Sequence, residues 1–219
     1  MQQQNKSYRM YILQNPAADF WEQQISGDAP QRAPRDLINL KNLFEMDGWH
    51  VKLIDADMLS DPRRFGAEVC DLLVLPDGAA FPLRAEQNFK RFFKDGGRVI
   101  TIGGYAFSQL IDSAGKVEEG AGLLGSNQPV ECFSCLRYDP STIPLFDEEY
   151  TYDGVVAVRP DENQTVFAGE LDCSDAPLRG YSSVTVMGGN RGRWYPLLNG
   201  YNAIGEKCAT IAAMMRLYN

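Results

Sequence analysis

Apolar positions in the first half of the chain alternate between short continuous runs and helical spacing. The run at 7–13 (SYRMYIL) ends before Asn15 and Pro16 and predicts a first strand. The next patterned stretch lies between Pro34 and Gly48 and predicts a helix, since proline is frequent at helix starts and glycine just past helix ends. Its apolar positions are Leu37, Leu40, Leu43 and Phe44. A second strand is predicted at 50–54.

The same alternation continues up to Gly115. A continuous apolar run at 71–75 (DLLVL) predicts a strand covered on both faces. The stretch 83–94 predicts a helix with one aromatic stripe, made of Phe89, Phe92 and Phe93. Residues 98–102 (RVITI) predict another buried strand. A short helix is predicted after it, with the apolar positions Phe107, Leu110 and Ile111.

The order of these elements predicts the fold class. Strand, helix, strand, strand, helix, strand and helix in succession indicate an α/β fold with a doubly wound, mainly parallel sheet. We expect 7–115 to form the α/β core and 116–219 to complete the same domain, so that 1–219 is a single domain and a module or fragment of a larger protein.

The second half of the chain is predicted to be rich in β-structure. Short β-prone runs are separated by turn clusters at 159–163 and 188–192. These runs are 155–158, 165–167, 183–187 and 194–198. The end of the chain, 203–218, suits either a helix or a hairpin, and the hairpin is the favoured interpretation.

Composition and charge narrow the classes of partner. Among 219 residues, 29 acidic and 21 basic side chains give a formal net charge of −8. Such a chain lacks the broad cationic face that nucleic acids and anionic membrane surfaces require. No apolar run approaches the roughly 18 residues of a membrane helix. We therefore expect neither nucleic-acid binding nor membrane insertion.

The chain contains one histidine, which limits its catalytic chemistry. His50 alone excludes zinc sites that need two histidines and leaves a single base for a serine or cysteine nucleophile. Its position at the start of a predicted strand suits an ordinary strand-edge residue. The five cysteines are an odd number and suit mostly buried free thiols. The C-x-x-C spacing of Cys132 and Cys135 has no second pair for zinc.

Polar residues after the predicted strands mark the candidate ligand crevice, because ligands of doubly wound sheets bind beyond the carboxyl ends of the strands. The candidates are Asn15, Asp19, Asp55, Asp57, Asp77, Gly78, Gly103, Gly104 and Tyr105. Three converging carboxylates would suit magnesium, but helix caps and turns explain these aspartates more simply. The glycine pair lacks the rest of a phosphate-binding loop. The sequence thus predicts no metal and no cofactor.

Two motifs, 71–78 (DLLVLPDG) and 95–104 (DGGRVITIGG), flank the helix predicted at 83–94. Together they resemble the class I glutamine amidotransferase-like fold, a flavodoxin-like α/β domain. The likeness is greatest to its inactive version in bacterial β-galactosidases and other multidomain glycoside-processing proteins, and it extends over 7–115. The segments 180–186 and 193–198 resemble the tail of such domains in secreted bacterial carbohydrate-active proteins.

An active member of this family places a cysteine nucleophile on the turn after the strand equivalent to 98–102, and a His-Glu pair late in the chain. Here that turn reads Gly103-Gly104-Tyr105-Ala106, and no histidine follows residue 50. The catalytic residues of the family therefore do not carry over, and none is assigned.

The resemblance implies a non-catalytic accessory or assembly module of a carbohydrate-processing, glycoside hydrolase-like bacterial protein. Its partners would be other domains of the same protein or further copies of the chain, with carbohydrate as a further candidate ligand. It would be periplasmic or secreted if a signal peptide had been removed, and cytoplasmic otherwise. The alternative is a small-ligand-binding or hydrolytic enzyme that uses the acidic crevice.

Overall fold

A computed structural model describes residues 8–18, 37–77, 80–102, 109–116, 151–181, 188–189 and 192–217. The chain divides into two compact units, unit 1 (1–137) and unit 2 (138–219), which are taken in turn. The assignment of 1–219 to a single domain stays a prediction. In the described ranges, no helix is long and apolar enough to cross a bilayer.

Unit 1 is built on a parallel sheet. Its strands are β1 (Arg9–Leu13), β2 (His50–Ile54), β3 (Leu72–Leu75), β4 (Ala80–Pro82), β5 (Arg98–Thr101) and β6 (Gln109–Ile111), and its helices are α1 (Leu37–Met46), α2 (Ala56–Ser60) and α3 (Glu86–Lys94). Four of the described strands form the sheet in the order β2-β1-β3-β5, and all three neighbouring pairs are parallel. β4 and β6 form a separate parallel pair. The predicted parallel α/β arrangement is thus confirmed at this level.

Helices α1 and α3 occupy the two stretches that the periodicity predicted. α1 packs on Met10, Ile12 and Val74 of the sheet. The predicted helix at 83–94 begins as a 3-10 turn (Leu83–Ala85), which continues directly into α3.

The aromatic stripe of α3 forms the centre of the larger core of unit 1. Phe89 and Phe92 are fully buried, whereas Phe93 is partly buried against the same cluster. The ring centroids of Phe92 and Phe65 are 4.8 Å apart, and those of Phe89 and Phe81 are 5.0 Å apart. The sheet contributes Leu73, Leu75 and Val99 to this core. The predicted packing of the stripe on the sheet is confirmed.

A buried amide fixes the other contact of α3. The Asn88 side chain donates hydrogen bonds to the carbonyl oxygens of Leu59, at 2.8 Å, and Phe65, at 3.2 Å. Leu59 lies in α2 and Phe65 lies between α2 and β3, so this one side chain links α3 to the connection between β2 and β3.

The strand predicted at 98–102 is present as β5, but the prediction that it is buried is wrong. Arg98 and Ile100 of β5 are exposed, and so is Ile102 just beyond it. Among the described strands, β5 lies at the edge of the sheet, and Ile100 is the register partner of Val74. α1 covers Val74, but the cluster beneath that helix does not extend to Ile100.

The prediction of a short helix containing Leu110 and Ile111 is also wrong. These residues form β6, whose parallel partner is β4. Both side chains are almost fully buried, at 2% and 1% exposure. A three-residue strand buried on both faces has adjacent apolar residues, a pattern that short helices share, so periodicity alone does not separate the two. Phe107 lies outside the described residues.

The described part of unit 2 is built from antiparallel strands. They are β7 (Thr151–Val155), β8 (Ala157–Pro160), β9 (Leu171–Asp172), β10 (Leu178–Tyr181), β11 (Gly188–Gly189), β12 (Gly192–Tyr201) and β13 (Lys207–Leu217). β12 pairs with β8, β11 and β13, and β7 pairs with β10. The predicted β-rich second half is thus confirmed for these residues.

The hairpin favoured for the end of the chain is confirmed as β12 and β13. Its turn is fixed by Asn202, whose side-chain oxygen accepts hydrogen bonds from the backbone N–H groups of Ile204, at 3.1 Å, and Glu206, at 2.9 Å. Gly205 adopts a φ of 81°, which glycine reaches without steric cost.

The strand predicted at 165–167 is wrong. These residues form a loop between β8 and β9, because the side chain of Gln164 occupies the backbone N–H groups of Val166 and Phe167 that a sheet partner would need. The run at 183–187 lies outside the described residues.

We expect Phe92→Ala to lower the free energy of unfolding by about 3–5 kcal/mol, since the ring is fully buried and its loss leaves a cavity. Phe89→Ala should behave in the same way. Lys94→Ala, on the exposed face of α3, is the matched control and should barely change stability. Denaturant unfolding followed by circular dichroism measures all three. Phenylalanine variants that unfold like the parent would contradict the core assignment.

Candidate functional site

The candidate site lies at the edge of the unit 1 sheet where its parallel strands end, which we call the carboxyl edge. Asp55 directly follows β2, Asn15 follows β1 by two residues, and Asp77 follows β3 by two. These strands are neighbours in the order β2-β1-β3. The structure therefore brings these three predicted residues to consecutive positions along one edge.

Asn15 links two chain segments at this edge. Its side chain is 6% exposed, and its amide N–H donates a hydrogen bond of 3.2 Å to the carbonyl oxygen of Ala80. The backbone N–H of Ala80 in turn donates to the carbonyl oxygen of Asp77, at 3.0 Å. Asn15 thus joins the end of β1 to the start of β4, and the side chain of Asp77 lies partly buried in the turn between β3 and β4.

Asp55 is the N-cap of α2. Its backbone is extended, and its carboxylate accepts a hydrogen bond of 2.7 Å from the backbone N–H of Met58. An N-cap aspartate satisfies N–H groups that the first helical turn leaves unpaired and places negative charge at the positive end of the helix dipole. This arrangement matches the cap interpretation of the aspartates.

Asp57 forms an ion pair with Arg84, which precedes α3 in the 3-10 turn. Both side chains are well exposed, at 66% for Asp57 and 48% for Arg84, so the pair contributes little to stability. Arg84 is a residue at this edge that the sequence interpretation missed. Nothing in its spacing distinguishes it from the other charged residues of the predicted helix.

Five predicted site residues lie outside the described residues: Asp19, Gly78, Gly103, Gly104 and Tyr105. Within the described ranges, no group of three or more His, Cys, Asp or Glu side chains is arranged to hold a metal ion. The described carboxylates of Asp55 and Asp57 are instead engaged by a helix N-terminus and by an arginine.

His50 and Cys70 lie at the other edge of the same sheet. His50 is exposed and opens β2, and its backbone N–H donates to the carbonyl oxygen of Tyr8, at 2.9 Å. Cys70 precedes β3 and is 1% exposed, and this burial raises the pKa of its thiol to about 12. A thiol with that pKa stays protonated at neutral pH and is a poor nucleophile.

The remaining described cysteines are free. Cys173 is buried, as expected, but Cys208 is exposed. Cys208 lies near the start of β13, just after the hairpin turn, and its thiol contacts the carbonyl oxygen of Gly200 at 3.7 Å. Cys132 and Cys135 lie outside the described residues.

A buried polar network in unit 2 is the second feature that the sequence interpretation missed. Asp161 and Asn199 are 8% and 3% exposed, and the Asn199 amide donates a hydrogen bond of 2.8 Å to Asp161 Oδ2. Asp161 Oδ1 accepts hydrogen bonds from the backbone and side chain of Asn163, at 3.0 and 3.1 Å. These donors favour the carboxylate and lower the pKa of Asp161. The sequence signal for this network was an asparagine within the apolar and aromatic run 194–201.

We expect Asp161→Ala to lower the free energy of unfolding at pH 7 by about 1–3 kcal/mol, because it leaves the buried amide donor of Asn199 unpaired. Since folding lowers the pKa of Asp161, its contribution is complete above the pKa of the unfolded chain. It is lost as the pH falls through the lower, folded value. The difference between parent and variant should therefore become smaller in denaturant unfolding at strongly acidic pH. An equal difference at both pH values would contradict this role.

The comparisons with known proteins give only weak likeness. No family model matches the sequence, and no curated protein does. Among solved structures, the chain is similar to the crystal structure of beta-galactosidase from Bifidobacterium adolescentis, with a TM-score of 0.37 and 12% sequence identity. The alignment covers 95% of this chain and 89% of that chain. This likeness shows neither a family nor a function.

Proposed function

We propose that this chain is a non-catalytic, amidotransferase-like module that serves as an accessory or assembly part of a carbohydrate-processing bacterial protein. The non-catalytic part of this proposal rests on the position of the single histidine, which is exposed at the amino end of β2. The association with carbohydrate processing rests on the sequence resemblance of 71–104, 180–186 and 193–198.

The topology of unit 1 supports the flavodoxin-like part of the proposal. Counted by strands of the main sheet, β2-β1-β3-β5 has the order 2-1-3-4, as at the start of flavodoxin-like sheets. The two resemblance motifs contain β3 and β5, which are neighbours in this sheet and are joined through α3. In the family, the nucleophile follows the strand equivalent to β5, and no cysteine occurs in 102–107 of this sequence.

Distance along the strand separates His50 from any reaction at the carboxyl edge. His50 opens β2 and Ile54 closes it, so four residue steps of about 3.3 Å place them roughly 13 Å apart. A general base must lie within about 3 Å of the proton that it removes. His50 therefore cannot activate a nucleophile at the carboxyl edge, and no other histidine exists to replace it.

The competing hypothesis, a hydrolytic or ligand-binding site of acidic residues, receives less support from the described contacts. Asp55 caps α2, and Asp57 pairs with Arg84. General acid or base catalysis by carboxylates needs a group whose environment shifts its pKa towards neutrality, usually through burial or a nearby like charge. Asp57 is two-thirds exposed and is paired with Arg84, so it is neither buried nor beside a like charge.

We expect the purified chain to release no ammonia from glutamine, and no nitrophenol from a nitrophenyl β-galactoside, above the uncatalysed rates. A coupled ammonia assay and an absorbance assay measure these two activities. His50→Gln should leave both traces unchanged. Turnover of either substrate that Asp57→Asn or Asp77→Asn abolishes would favour the enzyme hypothesis instead.

The module part of the proposal is tested in the organism that makes the protein. An antibody raised against this chain should detect a band larger than 24.5 kDa on a denaturing gel, or a complex of larger size on native gel filtration. A single species of 24.5 kDa that elutes alone would refute an accessory or assembly role.

We also expect any small molecule that binds unit 1 to lie at the carboxyl edge. In a fragment screen monitored by NMR, the backbone amide signals of Asn15 and Asp77 should shift, whereas those of Tyr8 and His50 should not. Binding that shifts only the Tyr8 and His50 signals would show that the crevice is assigned to the wrong edge.

A further inference from the structure

The connection between β8 and β9, residues 161–170, is an ordered loop with an internal hydrogen-bond scaffold, here called the tip loop. The side-chain oxygen of Gln164 accepts hydrogen bonds from the backbone N–H groups of Val166, at 2.6 Å, and Phe167, at 2.8 Å. The amide N–H of the same side chain donates to the carbonyl oxygen of Phe167, at 3.2 Å. One glutamine thus fixes the backbone in the middle of the tip loop.

Both ends of the tip loop are anchored to the sheet of unit 2. At one end, Asp161 is held by Asn199 of β12. At the other end, Glu170 accepts two hydrogen bonds from the Arg159 guanidinium, at 2.6 and 3.3 Å, and that guanidinium lies 4.7 Å from the ring centroid of Tyr201. A bidentate pair over an aromatic ring restricts the arginine more than a simple surface pair would.

This scaffold presents apolar side chains to solvent. Val166 is 73% exposed and Phe167 is 45% exposed, and together we call them the apolar tip. Leu171, which follows the loop, is 61% exposed. Because the loop is already ordered by polar contacts, a partner that covers the tip gains apolar burial with little further loss of conformational entropy.

The tip loop and the residues that follow it carry charge of one sign, and the cations beside them, Arg159 and Lys207, lie on neighbouring strands. Between residues 160 and 178 the sequence contains no lysine or arginine. Its acidic residues are Asp161, Glu162, Glu170, Asp172 and Asp175. Asp161 is buried and Glu170 is paired with Arg159, whereas Glu162 and Asp175 are exposed.

We propose that the apolar tip docks into an apolar pocket on a partner protein whose rim carries lysine and arginine side chains. The acidic surroundings oppose contact with anionic lipid, and the net charge of −8 opposes contact with a second copy of the same chain. Opposite charge on a partner would instead increase the association rate and orient the complex. This inference concerns unit 2 and does not depend on the amidotransferase-like assignment of unit 1.

The probe is a fluorescent amphipathic helix of about 14 residues made of leucine and lysine, which offers an apolar face bordered by cations. A second helix with glutamate in place of lysine is the matched probe. Fluorescence anisotropy of the full chain with each helix measures binding at low and high salt. The variants are Phe167→Ser and the double substitution Val166→Ser with Phe167→Ser. Ile204→Ser, in the turn between β12 and β13, removes another well-exposed apolar side chain, at 78% exposure, as the control.

The lysine helix should bind the parent and the Ile204→Ser control alike, and the double variant at least about tenfold more weakly, with salt weakening the parent complex. Circular dichroism should show all variants folded, because the substituted side chains are exposed. Equal binding to the double variant would mean that net charge alone attracts the helix, and it would overturn the proposal. Absence of binding to the parent, or equal binding of the glutamate helix, would also overturn it.

Two further measurements address the other occupants of the apolar tip. Phosphatidylcholine vesicles that bind the parent but not the double variant would assign the tip to a membrane. Self-association of the parent in sedimentation velocity, lost in the double variant, would assign it to a second copy. Either result would replace the proposed basic partner.

Discussion

Burial of Phe89 and Phe92 is the interaction on which the rest of unit 1 depends. Their rings fill the space between α3 and the strands β3 and β5, and they contact the rings of Phe81 and Phe65 outside that helix. A Cβ at Gly97, just after α3, would overlap the ring of Phe92, so the turn into β5 is also set by this packing. Asn88 on the same helix holds two carbonyl groups beside α2. One helix thus fixes both the sheet and the connection that begins at Asp55.

The core of unit 1 positions the strand ends that form the carboxyl edge. The polar groups at this edge mainly hold chain segments together. Asn15 binds the start of β4, Asp55 caps α2, and Asp57 joins α2 to the turn before α3 through Arg84. Each of these groups has a structural partner within the fold. The only histidine and the deeply buried thiol of Cys70 lie at the opposite edge of the sheet.

Unit 2 uses polar contacts in a different way. Asp161, Gln164 and Glu170 order a loop that has no sheet partner of its own, and the result is an apolar tip held away from the small core of Val155, Val158, Cys173 and Ala209. Hydrogen bonds inside a loop usually compensate for lost pairing, but here they also fix two apolar side chains in solvent. Exposed apolar groups on a preordered support lower the entropic cost of association. This is the physical basis for placing an interaction in this part of the chain.

The sequence by itself determined the elements whose signals are local. The apolar run of β3, the stripe of α3, the hairpin of β12 and β13, and the aspartates that follow the strands all depend on spacing within about ten residues, over which periodicity and turn chemistry act. Only the tertiary structure decided what depends on distant neighbours. It placed β5 at the sheet edge with Ile100 exposed, paired β6 with β4, joined Asp161 to Asn199, and brought Arg84 to Asp57. An apolar run has the same pattern in a central or an edge strand, and a charged side chain has no local signal for its partner. These outcomes follow from which surfaces meet when the chain folds.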